Sequence, residues 1–302
     1  MNPIFGGWFA ESTWGCHMKR LIEILLTAGV FCGAAVASAH AADDLALRPT
    51  HSDIVRANNQ VSLNVSGSYL DYLESSGSTP LDSERGWQPG LSLSGSVMTD
   101  IGLSNLYLYG NLSWSKGNSD YVGSFIGGNY GDVRQRDNAE IYNEDFRIGK
   151  GFEVNDALML TPYLGLGARQ WRRDITGAGG YREDYSHGYV GGGLLAQYSP
   201  APGWVLGVNG LVGSTFSASM KTTATAGGAA ITPQTYKLGN SAIYMVGASV
   251  DRAITDTVHA NISVDYTNFN YGRSAVSPID STFEPDSRTS TVALKVGLGF
   301  AF

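Results

Sequence analysis

Cysteine is nearly absent from this chain: 302 residues hold two, Cys16 and Cys32. Both precede Ala39-His40-Ala41, a small-x-small pattern that closes a segment opening on Met18-Lys19-Arg20 and running through apolar and small residues from Ile24 to Val36. Residues 18–41 therefore read as a secretory signal, and the chain beyond it, from about Ala42, carries no thiol. That excludes disulfide frameworks, thiolate metal sites and cysteine nucleophiles, and it suits passage through an oxidising compartment. Residues 1–17 obey none of the rules of such a signal and read as an upstream extension without a function of its own. Long apolar runs are also missing. Glu23 breaks the signal segment, and nothing after it reaches the roughly 20 apolar residues of a spanning helix. Proline is scarce, at 10 residues against 39 glycines and 16 tyrosines, and the net charge of −7 is spread rather than blocked. A spread charge gives nucleic acid or a polybasic lipid-binding segment no footprint.

What the chain does have is alternation. Between Val61 and Phe302, period-2 patterns mark ten strands, at about 61–73, 87–99, 103–115, 139–152, 157–172, 184–198, 203–216, 239–252, 257–271 and 288–302. Each exceeds the roughly 9 to 11 tilted residues that cross a bilayer as a strand. Short connections (99–102, 153–156, 199–202 and 253–256) alternate with long ones at 74–86, 116–138, 173–183, 217–238 and 272–287. That asymmetry and an even strand count are the pattern of a transmembrane up-and-down antiparallel β-barrel of about ten strands, an all-β fold. A soluble sandwich has no reason to keep one side of every hairpin short.

The last strand, Thr291 to Phe302, places Val292, Leu294, Val296, Leu298, Phe300 and Phe302 on one face and small or polar residues on the other. It resembles the C-terminal strand of bacterial outer-membrane β-barrels, whose final aromatic residue is read by the assembly machinery. Residues 61–302 as a whole resemble the broad superfamily of porin-like, OmpA-like and autotransporter-type barrels, and Leu160-Thr-Pro-Tyr-Leu-Gly-Leu-Gly167 is a phrase in their style. The resemblance implies integral residence in the outer membrane of a Gram-negative cell envelope after export through the periplasm. It also implies outer-membrane lipid and the barrel-assembly machinery as partners, with Phe300 and Phe302 as the assembly signal. Residues 42–60 are then a periplasmic leader or a short plug, capped as a helix near Ser52-Asp53.

The faces can be assigned from the alternation. Leu63, Leu93, Leu112, Leu164, Val208 and Ile262 belong to the lipid-facing set, with Trp114 and Trp204 at opposite strand ends, where aromatic girdles form. The inward set is small and polar, led by Ser62, Asn64, Ser92, Tyr109 and Asn261. Charges in it are expected to pair: Asp265 with Lys295, and Asp145, Arg147 and Arg169 as a second lumen network. Gly165, Gly167 and Gly191 to Gly193 leave room on adjacent strands for an aromatic ring, with Tyr163 and Tyr189 as the partners.

No catalytic, metal or cofactor-binding residue is expected, and the protein is read as a non-enzyme with a structural or surface-interaction role, or as a narrow channel for small solutes. Tyr121, Phe125 and Tyr130 in the 116–138 link suit an extracellular ligand on surface-exposed loops. The alternative is an omptin-like protease or lipid hydrolase at the outer rim around His187, since His51 and His259 fall at the periplasmic end. Asp184 and Ser186 stand at odd spacings from His187, on the opposite strand face.

Overall fold

The computed structural model describes residues 51–124, 128–177, 179–225 and 228–302. The expected extension, the signal, the start of the leader and Phe125 lie outside the described residues. From residue 51 the chain forms a short helix, α1 (His51–Ala57), and then strands β1 (Gln60–Ser76), β2 (Thr79–Thr99), β3 (Leu106–Gly123), β4 (Val133–Lys150), β5 (Phe152–Asn155) and β6 (Leu158–Ile175). It continues with β7 (Arg182–Ala201), β8 (Trp204–Thr223), β9 (Gln234–Lys237), β10 (Ala242–Ala253), β11 (Val258–Tyr271) and β12 (Asp286–Ala301).

Ten long strands form an antiparallel meander, and β12 returns to β1 with Phe300 opposite Val61 and Leu298 opposite Leu63. The sheet is thereby closed, so every long strand has two neighbours and no spanning edge is left unpaired. The two short strands were not expected. β5 folds back on β6 in a short turn, and β9 adds to β8 in the longest link.

The strands also run further outward than the alternation of apolar residues indicates. The 74–86 link reduces to a turn at Gly77 and Ser78, with Gly77 in the left-handed region (φ 61°). β3 continues to Gly123 and β4 begins at Val133, and β6 and β7 shorten the 173–183 link to 176–181. Above the lipid both strand faces meet polar surroundings, so the apolar alternation that marks a membrane strand stops while the backbone ladder does not.

The height of the lipid is legible on the outer wall. Leu63, Leu93, Leu164, Val208, Val212, Ile262 and Leu298 point outward and stay exposed, giving a continuous apolar belt that no water-soluble monomer tolerates. Tyr266, Val292, Tyr69 and Trp87 succeed one another in register across β11, β12, β1 and β2 along the outer margin of the belt. On β3 and β4 the same margin is Trp114 opposite Tyr142. Their Nε1–H and O–H donate to Glu140 at 3.0 and 2.9 Å. Trp204, Tyr198 and Phe300 mark the other margin. Beyond Glu140 the outward side chains are charged, as in the Arg172 contacts with Glu140 and Asp184 at 3.2 and 3.3 Å.

Glycines on β6 and β7 do what the spacing predicts. Tyr163 lies directly opposite Gly193, and Tyr189 opposite Gly167. A Cβ at Gly193 would sit 2.3 Å from Tyr163 Cζ, and one at Gly167 would sit 2.4 Å from Tyr189 Cζ. Each ring therefore lies on a glycine of the neighbouring strand, filling a barrel too narrow for a full complement of large inward side chains.

Candidate functional site: the barrel lumen

Three layers of inward side chains divide the lumen. The lowest is built by α1, whose Asp53 carboxylate accepts from Gly203 N at 2.9 Å and so ties the helix to the β7–β8 turn. Ile54 and Ala57 are buried, and the chain leaving the helix places Asn58 Nδ2 2.7 Å from Gln197 Oε1. Gln60 donates to Asp251, which also holds His259 Nδ1 at 2.6 Å. Residues 51–60 thus form a floor across the end of the barrel that carries the short turns.

Above the floor lies a cavity of about 280 Å³, in whose mixed polar and apolar lining serine and asparagine are the commonest residues. The expected pairs are inside it. Lys295 Nζ is 3.1 Å from Asp265, reached diagonally, because Lys295 stands opposite Ser263 and Asp265 opposite Ala293. Arg147 binds Asp145 at 2.6 Å and lies between the rings of Tyr109 and Tyr163, 4.9 and 5.0 Å from their centroids. Arg169 does not join them. It stands opposite Asn143, one residue pair further outward, and its Nη1 donates to Asn143 Oδ1 at 2.9 Å while the guanidinium faces Phe269. The three residues therefore form a pair and a separate cation.

The roof is the layer that reading the sequence missed. His187, Phe269 and Tyr271 begin it, with His187 Nδ1 2.7 Å from Tyr271 Oη and its ring against Phe269. Tyr271 stacks on Tyr185, Tyr185 on Trp171, and Tyr72 meets Trp171 edge-on. None of these rings is more than 2% exposed. Over them lies Arg173, fully buried, 2.7 Å from Glu183, 2.8 Å from Glu84, 3.2 Å from Asp82 and 3.8 Å from Glu74. Tyr185 Oη donates to Glu284, from the external link between β11 and β12, at 2.5 Å. Burial, and then the neighbouring Glu183 charge, push that link carboxyl up to about 8. Arg173 is opposite Ala139 and Glu183 in the ladder, at the height where the outer wall already carries Glu140, Arg172 and Asp184. The polar part of the roof is therefore above the lipid belt.

Several rim residues stand apart from their expected roles. Tyr121 belongs to β3 and faces inward, its ring 5.1 Å from the Arg173 guanidinium, so it is no loop-tip aromatic. Tyr130 is partly exposed but tethered to Ser83 Oγ at 2.7 Å. Among the described residues His187 meets no carboxylate: Asp184 turns outward to Arg172, and Ser186 pairs with Ser219 across the strands. A bulge follows, where Ser217 takes a left-handed φ of 54° and the register shifts between Ser186 and Gly188. The signal that could have revealed the roof was Asp82-x-Glu84, Arg173 and Glu183-x-Tyr185, charged and aromatic residues two apart in segments that look like loops.

No family model and no curated protein matches the sequence. Among solved structures, the chain is similar to the outer membrane protease OmpT from Escherichia coli (TM-score 0.53, 11% identity, covering 80% of this chain and 95% of that one). The fold is that of a bacterial outer-membrane β-barrel. Looser likenesses include the toluene transporter TodX of Pseudomonas putida (TM-score 0.34, 10% identity, 84% and 92% covered) and Ail, the attachment invasion locus protein of Yersinia pestis (TM-score 0.28, 10% identity, 81% and 99% covered). At such identities the likeness concerns architecture. A shared fold does not carry function, which has to be argued from the lumen and rim of this barrel.

Proposed function

We propose that this protein is an integral outer-membrane barrel whose lumen is closed at rest, and that it serves a structural or surface-interaction role. The observation that carries the reading is the double seal. The α1 floor and the Tyr72, Trp171, Tyr185 and Arg173 roof are buried across the lumen, leaving an internal cavity. The belt between the tryptophan margins supports residence in the membrane, and Phe300 and Phe302, exposed on the outer face of the closing strand, support recognition by barrel-assembly machinery. The polar lining of the cavity is what favours the second reading, a narrow channel for small solutes.

Planar-bilayer recording of the purified protein separates the two. A silent bilayer at neutral pH is the expected result, and a steady ohmic current there would replace the closed barrel by the channel. The hydrolase reading centred on His187 draws no support from its surroundings, since Tyr271 occupies Nδ1 and no carboxylate among the described residues adjoins the ring. His187→Ala should leave any peptidase or lipase activity of the preparation unchanged. Loss of an activity present in the parent would reinstate the enzyme.

A further inference from the structure

The roof holds more acid than its cation can balance. Glu74 on β1, Asp82 and Glu84 on β2 and Glu183 on β7 converge on Arg173 of β6. Asp137 of β4 lies side chain to side chain against Glu84, and Glu284 of the β11–β12 link interacts with Tyr185 and Glu74. The other titratable groups of this layer are His187 on β7, held to Tyr271 at its inner margin, and the phenols of Tyr72 on β1, Tyr121 on β3, Tyr181 in the β6–β7 link, Tyr185 on β7 and Tyr271 on β11. Arg173 is the one cation ion-paired to these carboxylates among the described residues.

Six carboxyl groups around a single guanidinium, five of them buried and Asp82 nearly so, cannot all be ionised. Taking each charge out of water costs several kcal/mol, and like charges in contact add to that cost. Asp137 and Glu84 locate the deficit. Both are fully buried, and their carboxylate oxygens receive no hydrogen bond from any described donor. Arg173 Nε approaches Glu84 without hydrogen-bond alignment. Two facing carboxylates lacking a donor need a proton between them, as carboxylate dyads do. Glu284, held near 8 at the edge of the same layer, places part of the cluster's titration within reach of mildly alkaline solution.

We propose that the roof is a proton-held gate, shut while the Glu84–Asp137 pair and its neighbours share protons, and loosened from the outer side when those protons are lost. The proposal rests on the closed-lumen reading above. Trp171, 1% exposed between Tyr72 and Tyr185, is a built-in reporter. Replacing Trp8, Trp14, Trp87, Trp114 and Trp204 by Phe leaves it as the sole tryptophan of the chain.

Acrylamide quenching of this variant, refolded into vesicles, should be weak at about pH 6. It should strengthen at least about threefold by about pH 9.5, reversibly and with the sheet signal in circular dichroism unchanged. The same background carrying Glu84→Gln and Asp137→Asn, which keep the shape without the charge, should stay weakly quenched throughout. Glu284→Gln, a milder change at the margin, should move the rise to higher pH.

Quenching that stays weak at both pH values overturns the gate alone. So does an equal rise in the neutral double variant, or an unmoved rise with Glu284→Gln. Strong quenching already at about pH 6 overturns the closed lumen and the gate with it.

Discussion

Replacing Arg173 by Met removes the cation and keeps much of the side-chain volume. In the parent, four carboxylates lie within 3.8 Å of the guanidinium. Without it, at least one of them that is ionised beside the arginine must take up a proton, because an unpaired buried charge costs still more. Binding a proton to a group with a solution pKa near 4.3 costs about 1.4 kcal/mol for each pH unit above that value. The penalty is then roughly 4 kcal/mol at about pH 7.5 and a few tenths at about pH 4.5.

A second contribution does not depend on pH. The guanidinium lies 4.9 Å from the Tyr72 centroid, 5.1 Å from Tyr121 and 5.5 Å from Trp171. Loss of these cation–π contacts costs on the order of 1 to 2 kcal/mol, partly recovered by the Met side chain. Urea unfolding in lipid vesicles at a series of pH values should therefore show a loss that shrinks by about 1.4 kcal/mol per pH unit as the pH falls, down to that packing floor. A loss independent of pH would refute the electrostatic argument and leave Arg173 as a packing residue.

Gly193→Ala should destabilise the barrel by about 1 to 3 kcal/mol, because its Cβ meets both Tyr163 and the Gly210 carbonyl oxygen; the Tyr163→Leu background should recover part of this in a double-mutant cycle, and strict additivity would argue against the ring-on-glycine contact. Glu284 has a folded-state pKa raised to about 8 from an ordinary value near 4.5, so the folded state binds the extra proton between those limits and stability should fall as pH rises through that window. Glu284→Gln should flatten this part of the stability profile, and an unchanged slope in urea midpoints would refute the assignment. Lys295→Met breaks a pair whose members are 21% and 30% exposed to the lumen, so its cost in the same unfolding assay should stay at or below about 1 kcal/mol, whereas a loss several times larger would show a fully desolvated pair.

Much of the wall was legible because a membrane strand writes its environment into alternate residues. Leu63, Leu164 and Val208 face lipid, Ser62 and Asn64 face the lumen, and the strand count followed from where the alternation broke. The Tyr163–Gly193 and Tyr189–Gly167 contacts were legible for a related reason, since a glycine on a crowded inner face has to be filled from a neighbouring strand. The roof was not legible. Glu74, Asp82, Glu84, Asp137, Arg173 and Glu183 lie beyond the lipid, where inner and outer positions are alike polar and period-2 contrast vanishes.

The sequence by itself thus determined the fold class and the sidedness of the wall, consequences of spacing along one strand or across one hairpin; of the charges it grouped, Asp265 meets Lys295, while the network of Asp145, Arg147 and Arg169 divides into a pair and a separate cation. Only the tertiary structure decided which side chains meet across the lumen. The closed-lumen reading depends on residues far apart in the chain converging across the barrel: Asn58 with Gln197 in the floor, Arg173 with Asp82 and Tyr185 with Glu284 in the roof. Register fixes neighbours along the wall, whereas what meets across the lumen is set by the barrel's radius and by where each strand leaves the membrane.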